Sequence, residues 1–401
     1  MTMLLDTPRT TTPGAKAAQI GVSTAATLNL IEWLTGDECH ALDEVGLVSG
    51  LGRRLQALGV PVDRLTLHLM TLHPELSGRT FAWAPGEPIE IHDREHGRLQ
   101  TIANTPLRKA LEMRETLLVG PGESQHGHWQ HIDVFAGRGL VQLMIAPLCN
   151  ADGPISSAAF GTRRPGGFTP AEQQVLTRIL PALRTASELR VLRQCELSLL
   201  DTYIGPMTAS RILAGHIRRG EIESMNTALL LCDLRGFTEL SNQLPGDVVL
   251  GLLNAYFDKV VPVIALGGGE VLKFMGDAVL AFFPGVDPAG ACNAALTAAR
   301  AILDDVESFQ HYGIRIKVGI ALHYGEVSYG NVGAGNRLDF TLIGPDVNIV
   351  SRIQGVCSDT GKALLMSGSF REKAEIIDAV SIGPRQLKGF TEAVELFTIE
   401  G

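Results

Sequence analysis

At 401 residues, with 45% hydrophobic and 19% charged, the chain has a globular composition and enough length for two domains of ordinary size. Its net charge of −9 argues against a nucleic-acid binder held by phosphate contacts. The scattered Cys39, Cys149, Cys195, Cys232, Cys292 and Cys357 form no CxxC pair, which suits reduced thiols in a cytoplasmic protein.

In chain order, residues 1–27 read as a flexible tail, since Asp6 and two prolines stand where a signal peptide would be apolar. No stretch offers the roughly 18–20 uninterrupted apolar residues of a membrane helix. Residues 28–60 carry a helical stripe of Leu28, Leu30, Ile31, Leu34, Leu42 and Leu47. "RLTLHLMTLH" then alternates at period two, and "GRTFAWAPGEPIEIHD" reads as a further strand pair. "NTPLRKALEMRETLLVG" looks like a short helix running into a strand. His126, His128 and His131 in "HGHWQH" match no firm metal-ligand spacing and read as a polar loop. A hairpin is expected over 140–168, turning at Asn150-Ala151-Asp152-Gly153. Thr169 then caps a helix with Pro170 at its first position. Val175, Ile179, Ala182, Ala186 and Leu189 recur along that helix at coiled-coil spacing, with Pro181 as a potential bend.

Beyond residue 225, "TALLLCDLRGFT" reads as a buried strand. A helix follows with Val248, Val249, Leu252, Leu253, Tyr256, Phe257, Val260 and Val261 on one face. Next come a hairpin in "GGGEVLKFMGDAVLAFF", an alanine-rich helix near 288–306, the strand "IRIKVGIALHYG", a glycine-rich turn, the strand "LDFTLIG" and the helix "PDVNIVSRIQG". Helices alternate with strands and hairpins, so the fold class is α/β (α+β) with a mixed sheet.

Several of these residues fit phosphate chemistry. Asp233 ends a buried strand, where a carboxylate is costly unless a cation or hydrogen bonds compensate it. The turn after it would aim the N–H groups of Gly236, Phe237 and Thr238 at an anion. Asp277 stands at a hairpin tip, and two such carboxylates together make a hard-oxygen site for Mg²⁺. Asn348 and Arg352, four apart on a helix, could hold a sugar oxygen and a developing phosphate charge. The same pair would also suit a capped surface helix with a solvated arginine.

From about residue 225 onward, "LLLCDLRGFTEL", "GGGEVLKFMGDAVLAFF", "RIKVGIALHYGEVSYGNVG", "RLDFTLIGPDVNIVSRIQ" and "LKGFTEAVELF" resemble the catalytic domain of class III nucleotidyl cyclases, in order and spacing. The resemblance implies a 225–401 catalytic domain that turns ATP into 3′,5′-cyclic AMP and pyrophosphate at sites shared by a homodimer. It implies that Asp233, Asp277 and the Leu234 carbonyl hold two Mg²⁺ or Mn²⁺ ions. Lys273 and Thr341 would read adenine, Asn348 orient the ribose, Arg352 serve the transition state and Lys388 meet the triphosphate. Guanylate cyclases of the family commonly pair Glu with Cys at the two base-reading positions, so guanylate cyclase is the alternative. A nucleotide-binding sensor without turnover is another. A diguanylate cyclase is disfavoured because the GGDEF-type run is absent. Residues 28–168 resemble a GAF-like regulatory domain awaiting an unidentified signal, with 169–224 as helical connector and coupling segment.

Overall fold

The computed structural model describes residues 24–96, 105–120, 132–148, 156–307 and 309–399. The chain divides into two units, 1–199 and 200–401.

In the first unit, β1 (Arg64–Met70) turns Leu65, Leu67 and Leu69 toward one side, and that period decides which sheet face is covered by helices. Three helices precede it: α1 (Thr24–Thr35), α2 (Asp37–His40) and α3 (Glu44–Ala57). The single helical stretch expected there is broken at Gly36 and again at Asp43, whose side chain caps α3 by accepting the Gly46 N–H at 2.7 Å. After β1 come β2 (Leu76–Trp83), β3 (Glu90–Glu95), α4 (Pro106–Met113), β4 (Leu117–Val119), α5 (Ile132–Gly137), β5 (Gln142–Leu148) and β6 (Ser156–Thr162). The strands form one antiparallel sheet in the order β3-β2-β1-β6-β5-β4. The β5–β6 pair is the expected hairpin. Its turn at Asn150–Gly153 and the His126, His128, His131 cluster lie outside the described residues.

Helix α6 (Pro170–Ile204) begins with a capping box. Thr169 N–H donates to Glu172 Oε2 at 2.8 Å and Glu172 N–H to Thr169 Oγ1 at 3.4 Å. Its Val175, Ile179, Ala182 and Ala186 stripe is buried in one core with Leu65, Phe81 and Phe160. That part of the stripe is therefore not free to be a coiled-coil seam, and the first compact unit runs to Leu199.

The second unit contains α7 (Pro206–Leu213), β7 (Ile222–Leu234), α8 (Phe237–Gln243), α9 (Gly246–Leu266), β8 (Glu270–Met275), β9 (Ala278–Phe283) and α10 (Pro288–Glu307). Then follow β10 (Gln310–His311), β11 (Ile314–Arg315), β12 (Val318–Ala334), β13 (Arg337–Ile343), α11 (Pro345–Thr360), β14 (Leu364–Ser367), α12 (Gly368–Lys373), β15 (Ala379–Arg385) and β16 (Val394–Ile399). The main sheet runs β15-β16-β14-β12-β7-β9-β8, with β13 pairing β12. Within it β12–β14 is parallel and β12–β7 antiparallel, so the sheet is mixed. Alternate residues of β7 face opposite ways and both faces are covered. Leu230 and Cys232 pack with α9 and α10, while Leu229 and Leu231 pack with α11.

One expectation changes here. The glycine-rich segment after "IALHYG" is not a turn but the second half of β12. Gly330 fits there because a Cβ would meet the Glu221 carbonyl oxygen at 2.1 Å. Helix α9 is long and apolar enough by length and composition to cross a membrane, although Asp258 and Lys259 interrupt it. Its Leu252, Tyr256, Val260 and Ile264 stripe lies in the sheet's core.

Candidate active site

β7 delivers Asp233 to its C-terminal end, and the β8–β9 hairpin delivers Asp277 beside it. Cys232 pairs with Val279 across β7 and β9, while Met275 pairs with Ala278 across the two-residue loop Gly276-Asp277. Gly276 takes φ 71°, which glycine adopts without Cβ strain. Burial first, and then the neighbouring Asp277 carboxyl, push Asp233 up to about 7. The buried Gln354 amide and the Leu234 N–H act in the opposite direction, and among the described residues no lysine, arginine or histidine forms an ion pair with Asp233 or Asp277. Gln354 makes no hydrogen bond of normal geometry, so its influence is that of a nearby dipole.

Two converging, half-buried carboxylates without a counter-cation fit a hard divalent ion. Among the described residues no group of three or more His, Cys, Asp or Glu could hold a metal by itself. Two carboxylates plus substrate phosphates are a normal donor set for Mg²⁺. Next to them the chain turns at Gly236 (φ 69°) into α8, which begins at Phe237 and Thr238.

Arg235 was not singled out from the sequence, yet it ties this corner to α11. Its guanidinium donates to the Cys357 carbonyl at 2.6 Å and to the Lys362 carbonyl. It lies over Gly319, where a Cβ would come within 2.6 Å of it.

On the same hairpin, a register shift between Val271 and Lys273 re-aims the lysine. Lys273 Nζ reaches Asp339 Oδ2 on β13 at 2.6 Å. The curl of the sheet allows this reach: Tyr329, opposite Glu223, stands 5.4 Å ring to ring from Phe282, opposite Leu229. Thr341 is two residues beyond Asp339, hence on the same strand face. The structure thus groups Asp233 with Asp277, and Lys273 with the strand that carries Thr341. Asn348 and Arg352 are exposed one turn apart on α11, and Lys388 is exposed between β15 and β16.

The start of α11 is held by groups that sequence patterns did not reveal. Asp346 Oδ1 bonds His323 Nε2 at 2.7 Å, Asp346 Oδ2 accepts the Glu326 N–H at 2.9 Å, and His323 Nδ1 bonds Ser367 Oγ at 2.7 Å. Gly325 makes room, since a Cβ there would lie 2.2 Å from the Asp346 carboxyl carbon. Asp346→Ala strands His323 Nε2 and the Glu326 N–H, at a cost of about 1–3 kcal/mol. The expected outcome is a lower Tm, read by calorimetry, together with slower turnover through displaced Asn348 and Arg352. An unchanged Tm and rate would show that this contact does not set the helix.

Residues 222–401 match the family model described as "Adenylate and Guanylate cyclase catalytic domain". This segment is a class III cyclase catalytic domain. An adenylate cyclase of Anabaena cylindrica is 30% identical to the chain over 194 residues, 46% of this chain and 39% of that protein. Adenylate cyclase 1 of Rhizobium meliloti is 27% identical over 198 residues, 47% of this chain and 30% of that protein. The chain therefore spans well under half the length of these curated relatives. Among solved structures, the adenylyl cyclase CyaB from P. aeruginosa is 25% identical, with a TM-score of 0.40, over 45% of this chain and 96% of that one. Within the cyclase domain, Cys232, Cys292 and Cys357 are all buried, and burial pushes their thiols up to about 12. None of them is a ready nucleophile.

Proposed function

We propose that the chain is a homodimeric adenylate cyclase converting ATP to 3′,5′-cyclic AMP and pyrophosphate. The Asp233–Asp277 pair carries this reading, because the two carboxylates converge and neither forms an ion pair with a cationic side chain among the described residues. Asp233, Asp277 and the Leu234 carbonyl would hold two Mg²⁺ or Mn²⁺ ions. Such ions supply charge neutralisation at the phosphates and a more acidic 3′-hydroxyl. The protein's own work is positioning. Gly236, Phe237 and Thr238 present backbone N–H groups to phosphate, Lys388 meets the triphosphate, and Asn348 fixes the ribose. The 3′-oxygen bonds to the α-phosphorus, the bond to the β-phosphate oxygen breaks, and the 3′-hydroxyl proton leaves to solvent. Arg352 balances the charge that grows on the phosphate.

Lys273 and Thr341 would read the base, the lysine donating to a ring nitrogen and the hydroxyl accepting from the exocyclic amine. Asp339 holds the lysine toward that strand at 2.6 Å. Guanylate cyclase is the second reading, and the absence of a Glu–Cys pair at these positions disfavours it. Incubating the protein with ATP or GTP and Mg²⁺ or Mn²⁺, then weighing the products by mass spectrometry, tests the assignment. Lys273→Glu with Thr341→Cys is expected to depress ATP use and raise relative GTP use at least tenfold. An unmoved GTP-to-ATP preference would take both residues out of base selection.

A GAF-like regulatory role for the first unit is part of the proposal, supported by its order of helices, strands, long hairpin and long helix. A reducing, cytoplasmic setting agrees with the free, buried Cys39, Cys195, Cys232, Cys292 and Cys357.

A further inference from the structure

The first unit's sheet has a second face, opposite the one packed with α1, α3 and α6. Part of it is apolar, with Leu143, Ile145 and Ala159 packed with Ala110 of α4. The neighbouring part is polar. His68 of β1 stands between Thr80 of β2 and Ser157 of β6, and two residues along, Met70 pairs with Gly78, which pairs with Arg94 of β3. The period of two puts Arg94, Gly78, Thr80, Met70, His68 and Ser157 on one face.

Arg94 lies across this row. Its guanidinium passes over Gly78, where a Cβ would come within 2.9 Å of Nη2, and reaches Met70 Sδ at 3.6 Å. Two carboxylates of β3 are committed to other arginines: Glu90 to Arg64 and Arg138, and Asp93 to Arg79. Arg94 has no carboxylate partner among the described residues, and its buried Nε has no hydrogen bond. Ser157, 1% exposed, also leaves its Oγ without a partner. His68 Nδ1 bonds Thr80 Oγ1 at 2.9 Å. Burial, and then the Arg94 charge, push His68 down to about 3, so the ring is neutral and adds no second cation. A half-buried guanidinium without an anion and a buried hydroxyl without a bond are each costly, and folding alone gives no reason to keep both on one face. An arginine fork facing hydroxyls is the donor set that recognises a carboxylate or a phosphate.

We propose that Arg94, His68, Thr80 and Ser157 form a binding site for a small molecule carrying one anionic oxygen group, with Arg94 holding that group. The site sits in the first unit and does not depend on the cyclase reading.

The test uses thermal unfolding of the full chain with four sodium salts as probes: acetate and benzoate for a carboxylate, inorganic phosphate and phenyl phosphate for a phosphate. Sodium chloride at equal ionic strength is the control. At millimolar concentration at least one probe is expected to raise the first unit's Tm by about 2 °C or more, and the pair that does so identifies the head group. Arg94→Met removes an unpaired charge at similar length, so its ligand-free Tm is expected to match or exceed wild type while its response to the probe disappears. Ser157→Ala is expected to keep its ligand-free Tm and weaken the response. A ligand-free Tm clearly lowered by Arg94→Met, including failure to fold, makes Arg94 structural and overturns the proposal. So does a wild type that none of the four probes shifts beyond the chloride control, or a variant that responds as wild type does.

Discussion

Alanine at Asp233 or at Asp277 is expected to lower ATP turnover by about 10³-fold or more while the protein stays folded. Both carboxylates sit at strand or hairpin ends, where truncation opens no large hole in the core, so the loss falls on chemistry. On the proposed reading, nothing else would hold the divalent charge beside the α-phosphate. In the metal-free protein Asp233 has the opposite effect on stability. Its folded value of about 7 stands above the ordinary 3.8, because burial and Asp277 both disfavour the charged form. Between those values the native state binds more protons than the unfolded chain, so this group's contribution to stability falls as the pH rises from about 4 to 7. Asp233→Asn is expected to flatten that slope and to raise the metal-free Tm at pH 8. Added Mn²⁺ is then expected to raise the Tm of wild type and not of the variant. The two readouts separate a metal ligand from a structural carboxylate. A rate within about tenfold of wild type, or a metal-free Tm that drops in Asp233→Asn, would take Asp233 out of the proposed role.

What the sequence made legible was local. Asp233 at a strand end, Asp277 in a two-residue loop and the Thr169 cap each follow from a few adjacent residues, and the structure places all three as expected. What it hid depends on distant parts of the chain meeting. Arg235 finds carbonyls at Cys357 and Lys362, and Lys273 finds Asp339, across gaps that no periodic pattern spans. The glycine-rich half of β12 looked like a turn because Gly330 signals flexibility in isolation. Its actual cause is the Glu221 carbonyl, which arrives from β7's approach and leaves no room for a Cβ. The α6 stripe had the spacing of a coiled coil because burying a helix on a sheet needs the same spacing. Periodicity reports that a face is covered and not by what.

Two inactive proteins, Lys273→Ala and Asp277→Ala, are expected to recover activity together when their subunits exchange. On the proposed shared-site reading, one subunit supplies Asp233 and Asp277, and the other supplies Lys273, Thr341, Asn348 and Arg352. A two-fold dimer repeats every contact, so it has two such sites. In a mixed dimer one site gathers both lesions and the other gathers none. Random exchange makes about half of the dimers mixed, each with one of its two sites restored, so activity is expected at roughly a quarter of wild type. Phe274, Met275, Leu338 and Ile343 expose apolar side chains near these residues, which the proposed dimer would cover. Exchange is checked first by pulling down one tagged subunit and weighing its partner. Verified mixed dimers that remain inactive would falsify the shared site. Activity in the Lys273→Ala protein alone would instead mean that the lysine is dispensable. The quarter is the informative figure, because a site built within one chain gives no recovery at any mixing ratio.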